Sequence, residues 1–334
     1  MEPKRPAKSV ARYLRVILGI IIGGVSLYLA LRNVSYRDFS KSLFGADYSF
    51  VAWALISVSV NTLAKSFRWQ VLLAKQGSEV SLGQNIMALL AGQALNTIYP
   101  ARIGDLTRTY LVGSLGPGKM FVLGTIILEK LLDMVLYTLL FLLLLLLLPL
   151  PAWINHSIYS VTSITVLGLV LVFLISYRVE SIARVIERLL ARFPGYLARS
   201  AMEWIRSGLN SLTVLKERGE LAKLSAWTVV VWATAILTNY LTLLALNIRL
   251  PITASILVLV VLQVSLSLPS IPGRIGVFEY LCVLSLAVFG IDQASAFTYG
   301  ILLHIVALLP STLLGLIFLG VFDLQKRQFA KAKN

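Results

Sequence analysis

Two stretches decide how this chain is read: Tyr99-Pro100-Ala101-Arg102-Ile103-Gly104-Asp105 and Ile271-Pro272-Gly273-Arg274-Ile275-Gly276-Val277. Both carry Pro-x-Arg-Ile-Gly, and each interrupts an apolar region, Leu82 to Val112 and Ile252 to Gly290. Proline stops a helix and glycine permits the turn after it, so each region reads as two apolar arms meeting at a break. The arms are about 12 to 16 residues, roughly 18 to 24 Å as helix. Each pair is therefore a re-entrant hairpin or two short spans, and the parity of the topology is the same either way.

Outward from these breaks the chain is apolar nearly throughout. Of 334 residues 58% are hydrophobic and 13% are charged, about half the charge of a soluble domain. The mean hydropathy is +0.84. That excludes a soluble enzyme, a disordered chain and a DNA-binding domain, despite a net charge of +15. A single cysteine, Cys282, excludes a disulfide framework. Six further runs reach the ~20 residues needed to cross a bilayer: Leu14 to Leu31, Val51 to Ala74, Met120 to Leu148, Ile154 to Tyr177, Leu224 to Leu246 and Ala294 to Phe322.

With the N-terminus inside, only Arg32, Arg37, Lys41 and Arg249 of the 30 Lys and Arg fall in outer loops, and most of the rest fall in inner ones. That positive-inside asymmetry predicts cytoplasmic N- and C-termini in the cell membrane. Segment 178–223 is the one sizeable soluble piece. Ile182, Val185, Ile186, Leu189 and Leu190 recur there at helical spacing with Arg184, Glu187, Arg188 and Arg192 between them. This is the pattern of an amphipathic helix on an anionic inner leaflet; a platform for a partner protein is the minority alternative.

On this topology the unit containing the first break enters from outside and the second from inside. The expected fold is thus a single domain over 1–334, an all-α polytopic membrane protein. It has inverted structural repeats, about 51–148 and 224–322, with two broken-helix re-entrant hairpins. Broken segments paired across inverted repeats are the sequence pointer to a transporter site near the midplane. Where a new helix starts, near Gly104 and Gly276, free N–H groups and Arg102 or Arg274 would form an anion-binding corner.

Ten ionisable residues lie inside apolar segments: Lys65, Arg68, Arg102, Asp105, Arg108, Glu129, Lys130, Asp133, Arg274 and Glu279. Charge at that depth is costly unless paired or hydrated. Arg68 and Lys65, close to a helix end, are expected to reach back to the cytoplasmic interface. Arg102, Asp105 and Arg108 share a helix face at spacings of three, as a ligand site or as a self-neutralising ladder. Glu129 and Asp133 do so at a spacing of four, with Lys130 adjacent. His304 lies about as deep in the last span as Glu129 does in its own, as a hydrogen-bonded core residue or a proton relay. The set describes a mixed-charge cavity with a slight positive excess, suited to a headgroup with phosphate.

No cofactor is expected. Gly113 to Met120 nearly matches a phosphate loop but ends in Met and joins two membrane segments. His156 and His304, the two histidines, fit no zinc spacing.

These motifs resemble the lysylphosphatidylglycerol synthase transmembrane-region family, also described as flippase-like or UPF0104 membrane proteins. The matching residues are Arg68-Trp69; Asn96 with Pro100, Arg102, Gly104, Asp105 and Arg108; Glu129-Lys130-x-x-Asp133, where the family usually has Glu-Arg-x-x-Asp; and Pro272-Gly273-Arg274-Ile275-Gly276 with Glu279. The resemblance implies translocation of a polar lipid between leaflets. No aminoacyltransferase domain follows residue 334, so synthesis of the lysyl lipid is not expected.

The sequence reading is a transporter, not an enzyme. Its expected substrate is a polar or anionic lipid (phospholipid, aminoacylated lipid or polyprenyl-linked glycolipid). Its expected partners are that lipid and anionic inner-leaflet lipids, with no nucleic acid; a homodimer is compatible with the sequence. The alternatives are a secondary transporter of a small soluble anion and an integral membrane lipid-modifying enzyme.

Overall fold

The computed structural model describes residues 7–32, 34–74, 80–99, 103–149, 163, 166–168, 170–171, 174–175, 177–190, 195–265 and 272–332. Every regular element among them is helical. In chain order they are α1 (Ala7–Leu31), α2 (Tyr36–Phe44), α3 (Tyr48–Ala74), α4 (Leu82–Ile98), α5 (Ile103–Gly113), α6 (Lys119–Leu147), α7 (Val179–Leu190), α8 (Gly195–Asn210), α9 (Arg218–Ala245), α10 (Ile252–Ser265), α11 (Val277–Ala287) and α12 (Gln293–Ala332). Short 3-10 turns occupy Ser211–Lys216 and Pro272–Arg274.

The chain is an all-α, multi-pass membrane protein. α3, α6, α9 and α12 as far as Val321 are each long and apolar enough to span. Residues Ile17–Leu31 pass the same test only together with α2, to which they are bent by 83°. Of the six expected full spans, four are therefore met directly. Most of Ile154 to Tyr177 lies outside the described residues. Segment 32–49, expected as a loop, contains α2. Ser35 caps it by accepting the Arg37 N–H at 3.2 Å, and its Phe39 ring lies 6.0 Å from that of Phe297. Nine residues are too few to show a helical period in so apolar a neighbourhood.

Both interrupted regions are split into two short helices, α4 with α5 and α10 with α11. α4 starts on a capping box, the Ser81 hydroxyl accepting the Gln84 N–H and the Gln84 carboxamide accepting the Ser81 N–H. α4 and α5 fold back antiparallel through two glycines: a Cβ on Gly104 would overlap the Gly92 carbonyl, and one on Gly92 would press into the Arg108 side chain. α11 meets α1 in the same way, Gly276 lying against the Gly23 carbonyl.

The two halves meet along α3 and α9, where the contact is polar. Asn61 donates to the Val231 carbonyl at 2.6 Å and to Thr234 Oγ1 at 2.9 Å, Ser57 donates to the Thr234 carbonyl at 2.9 Å, and Thr238 to Ser57 Oγ at 3.0 Å. Such bonds hold helices together where lipid supplies no hydrophobic drive. α4 lies along α12, Gly315 packed on the Leu90 carbonyl. α8 and the turn after it cover the start of α6, with Gly124 against Gly208 and Ser211.

Candidate functional site

Arg68 lies on α3 about two turns from its end. It is fully buried and does not reach back to an interface, as the sequence led us to expect. The turn it occupies faces α6 and α9, and there it forms a two-pronged pair with Asp133, Nη1 to Oδ1 at 2.6 Å and Nη2 to Oδ2 at 3.2 Å. Nη2 also lies 3.6 Å from Glu129 Oε1, and Nη1 donates to Thr228 Oγ1 at 3.4 Å. A planar guanidinium can serve two carboxylates at once, which an ammonium cannot do with the same geometry.

Arg108, on α5, grips Glu129 from the other side, Nη1 to Oε1 at 3.4 Å and Nη2 to Oε2 at 2.8 Å. Its guanidinium carbon lies over the Trp69 ring, 4.0 Å from the centroid, and the Trp69 indole N–H donates to Thr125 Oγ1 at 3.0 Å. Arg108 also approaches Asp105 at 4.0 Å. The Asn96 amide donates to Asp105 Oδ1 at 3.2 Å, while its oxygen accepts the Gly104 N–H at 2.9 Å. Asn96 thus ties the start of α5 to the end of α4. At the far end the Trp232 indole N–H donates to Asp133 Oδ1 at 3.3 Å.

The result is one continuous chain: Asn96, Asp105, Arg108, Glu129, Arg68, Asp133, Trp232. It crosses α4, α5, α6, α3 and α9. Its middle is shut off, and its acidic ends are open: the side chains of Arg68, Arg108 and Glu129 are at most 5% exposed, against 21% for Asp105 and 28% for Asp133. Three carboxylates face two guanidiniums, with Lys65 half-buried one turn before Arg68. The described cluster is balanced once Lys65 is counted; the expected positive excess also included Arg102, which lies outside the described residues. The cluster's arginines are already bound to acid.

The second break is built differently. Gly273, Arg274 and Gly276 all have positive φ, 72°, 60° and 86°. Glycine adopts this region freely; for Arg274 it costs of order 1–3 kcal/mol. Glu279, in the first turn of α11, is buried. Its Oε2 accepts the Gly276 N–H at 2.6 Å, and its Oε1 lies 2.6 Å from His304 Nδ1 on α12. The Phe278 ring packs on the imidazole at 4.4 Å.

The structure therefore gathers Asn96, Gly104, Asp105, Arg108, Glu129 and Asp133 into one cluster. Gly273, Arg274, Gly276, Glu279 and His304 form a second around the other break. Lys130 is exposed on α6, because one residue on from Glu129 is about 100° round the helix. Pro272 is exposed at its turn. Pro100 and Arg102 lie outside the described residues, so the anion-binding corner expected at Arg102 does too. Thr125, Thr228 and Trp232 take part without having been foreseen. Their side chains carry no charge to mark them in an apolar span.

The family model described as the lysylphosphatidylglycerol synthase TM region matches residues 16–315. A UPF0104 membrane protein of Pyrococcus horikoshii is 22% identical, the alignment covering 95% of this chain and 98% of the relative. Another, of Methanocaldococcus jannaschii, is 24% identical over 69% of this chain and 94% of its own length.

Proposed function

The chain belongs to the lysylphosphatidylglycerol synthase transmembrane-region family, and on that premise we propose that it moves a polar or anionic lipid between the leaflets of the cell membrane. A phospholipid, an aminoacylated lipid or a polyprenyl-linked glycolipid fits this reading. The headgroup passes through the mixed-charge interior while the tails stay in hydrocarbon. The protein acts as a transporter and not as an enzyme.

The observation that carries this reading is the buried chain of ion pairs from Asp105 to Asp133. Several kcal/mol of desolvation oppose each buried charge, and a well-packed apolar contact would hold α3, α5 and α6 together at less cost. Charges kept at membrane depth point to polar cargo. Among the described residues Arg68 Nε and Arg108 Nε are buried without a hydrogen-bond partner, so each guanidinium keeps an unused donor. The open ends, Asp105 and Asp133, suit an ammonium or a hydroxyl.

Inverted repeats give the alternating access such transport needs. In support, the first unit has helices of 27, 17, 11 and 29 residues. The second has 28, 14 and 11, then the 29 of Gln293–Val321. The amphipathic α7, in the basic segment 178–223, and the exposed Trp204 of α8 fit an inner leaflet rich in anionic lipid, with both termini cytoplasmic.

The test is leaflet exchange in proteoliposomes containing zwitterionic, anionic, aminoacylated and polyprenyl-phosphate lipids in turn. Exchange selective for headgroup, and lost in Asp105→Asn and in the Arg102→Ala, Arg274→Ala double variant, is expected. A folded protein that exchanges none of them, or variants that exchange as fast as the parent, would overturn the proposal.

A further inference from the structure

The two clusters differ in one respect that transport alone does not explain. In each half, a side chain on the second arm of the broken helix pairs with the middle of the long helix that follows. In the first half the pair is Arg108 with Glu129. In the second it is Glu279 with His304. Arg108 cannot lose its proton, so the first pair keeps fixed charges; the second contains the side chain whose charge changes most readily near neutrality.

We propose that Glu279 and His304 form a proton-binding site, and that the lipid movement proposed above is coupled through it to proton movement. The geometry assigns the atoms. Glu279 Oε2 is an acceptor, because it takes the Gly276 N–H. With the carboxylate ionised, Oε1 accepts from His304 Nδ1–H, which leaves the Nε2 lone pair to take one proton. Glu279 is 2% exposed and His304 15%, so the imidazole is the more accessible side of the pair. Proton uptake turns a buried net negative pair into a neutral one, which suits a dry interior; proton loss restores the pair's negative charge and favours a state that hydrates it.

The coupling is mechanical as well as electrostatic. The same carboxylate holds the Gly276 N–H, two residues beyond the strained Gly273-Arg274 turn and at the start of α11. A change in that carboxylate's charge balance acts directly on the break in the helix.

The electrostatic surroundings are simple. α11 brings Glu279 itself and Cys282, with Cys282 against Gly300, and the turn before α11 brings Arg274. α12 contributes Tyr299, and α1 between Ile17 and Leu31 only Tyr28. α4 contains no titratable residue. α3 and α9 meet α12 through Ala54 and Ala245, beside Leu302 and Val306. α2 meets it near its start, where Asp38 and Lys41 lie around Asp292 and Ser295.

This inference rests on the transport reading, and the experiment separates the two. In the His156→Gln chain, His304 is the one remaining imidazole. Its nitrogen resonances, followed in vesicles from pH 5 to pH 9, report proton binding without any transport. We expect a single titration whose midpoint changes in Glu279→Gln. In proteoliposomes, a one-unit pH difference, about tenfold in driving ratio per proton, should then change the rate of headgroup-selective exchange severalfold, and His304→Gln should remove that response. An imidazole that keeps one protonation state throughout, or exchange indifferent to the gradient, overturns proton coupling and leaves lipid movement standing. A titrating His304 in a protein that exchanges no lipid overturns the transport reading and leaves the proton site.

Discussion

Arg108 and Glu129 form a two-pronged ion pair, with contacts of 3.4 and 2.8 Å, in a position closed to solvent on every side. Glu129 also faces Arg68 at 3.6 Å, so one carboxylate sits between two guanidiniums. Glu129→Gln would leave both cations short of a partner. Breaking a buried pair from one side costs about 3–5 kcal/mol, and the loss falls chiefly on Arg108, because Arg68 keeps its pair with Asp133. Replacing Arg108 and Glu129 together by Gln should cost less than the two single changes added, because neither charge is then left alone. Unfolding of the purified protein in detergent, measured for the four members of the cycle, decides this. Additive losses would mean that the pair is not coupled.

The tight fold-back of α5 on α4 makes its own prediction. A Cβ at Gly104 has nowhere to go but into the Gly92 carbonyl, and backbone cannot move aside as a flexible side chain can. Gly104→Ala is expected to lose about 1–3 kcal/mol and to spread the Asp105–Arg108 end of the cluster. Gly24→Ala, where the added methyl meets nothing within 4 Å, is the control and should melt with the parent. Equal melting temperatures for the two variants would refute the close approach.

Trp69 holds Arg108 from below and is itself fixed through Thr125. Trp69→Phe keeps an aromatic face but removes the indole N–H, at a cost of about 1 kcal/mol. Trp69→Leu also removes the face under the guanidinium, with a further loss of about 1–2 kcal/mol. Thermal unfolding should rank parent, Phe and Leu in that order. A Leu variant as stable as the Phe variant would show that the stacked cation contributes nothing.

The Trp69–Thr125 bond has a counterpart in the other half. Trp69 is the twenty-second residue of α3 and Thr125 the seventh of α6; Asn239 and Tyr299 hold the same places in α9 and α12. The Tyr299 hydroxyl donates to Asn239 Oδ1 at 3.0 Å. None of this was legible in the sequence, where the two bonds share no residue type. What could be read were features with a period or a break. Apolar runs of spanning length mark α3, α6, α9 and α12, Pro and Gly mark the breaks, and spacings of three and four mark Asp105 with Arg108 and Glu129 with Asp133. Arg68 was misjudged because depth along a helix says how far a side chain must reach, and not which neighbour the helix turns it toward. α2 was missed because a helix of nine residues shows too few turns to establish a period.

Acid sensitivity outside the membrane-spanning segments should come in part from Asp292. Burial would push its carboxyl up, but hydrogen bonds from the backbone and side chain of Ser295 outweigh it and hold the carboxyl below its ordinary value of 3.8. The Ser295 N–H to Oδ1 bond is 2.9 Å and caps the start of α12, where a negative charge also meets the positive end of the helix dipole. A carboxyl lowered by folding contributes stability that is complete above its unfolded value and is lost as pH falls through its folded value. Asp292 is therefore expected to stabilise the protein fully at neutral pH and progressively less below about pH 4. Asp292→Ala should lose about 1 kcal/mol at pH 7, and the gap between variant and parent should close as the pH falls. Asp292→Asn, which caps without charge, should lie between them at pH 7 and lose less than the parent on acidification. Melting temperatures of the three proteins from pH 7 down to pH 3 test the sign. A gap that widens in acid would mean that the carboxylate does not cap the helix.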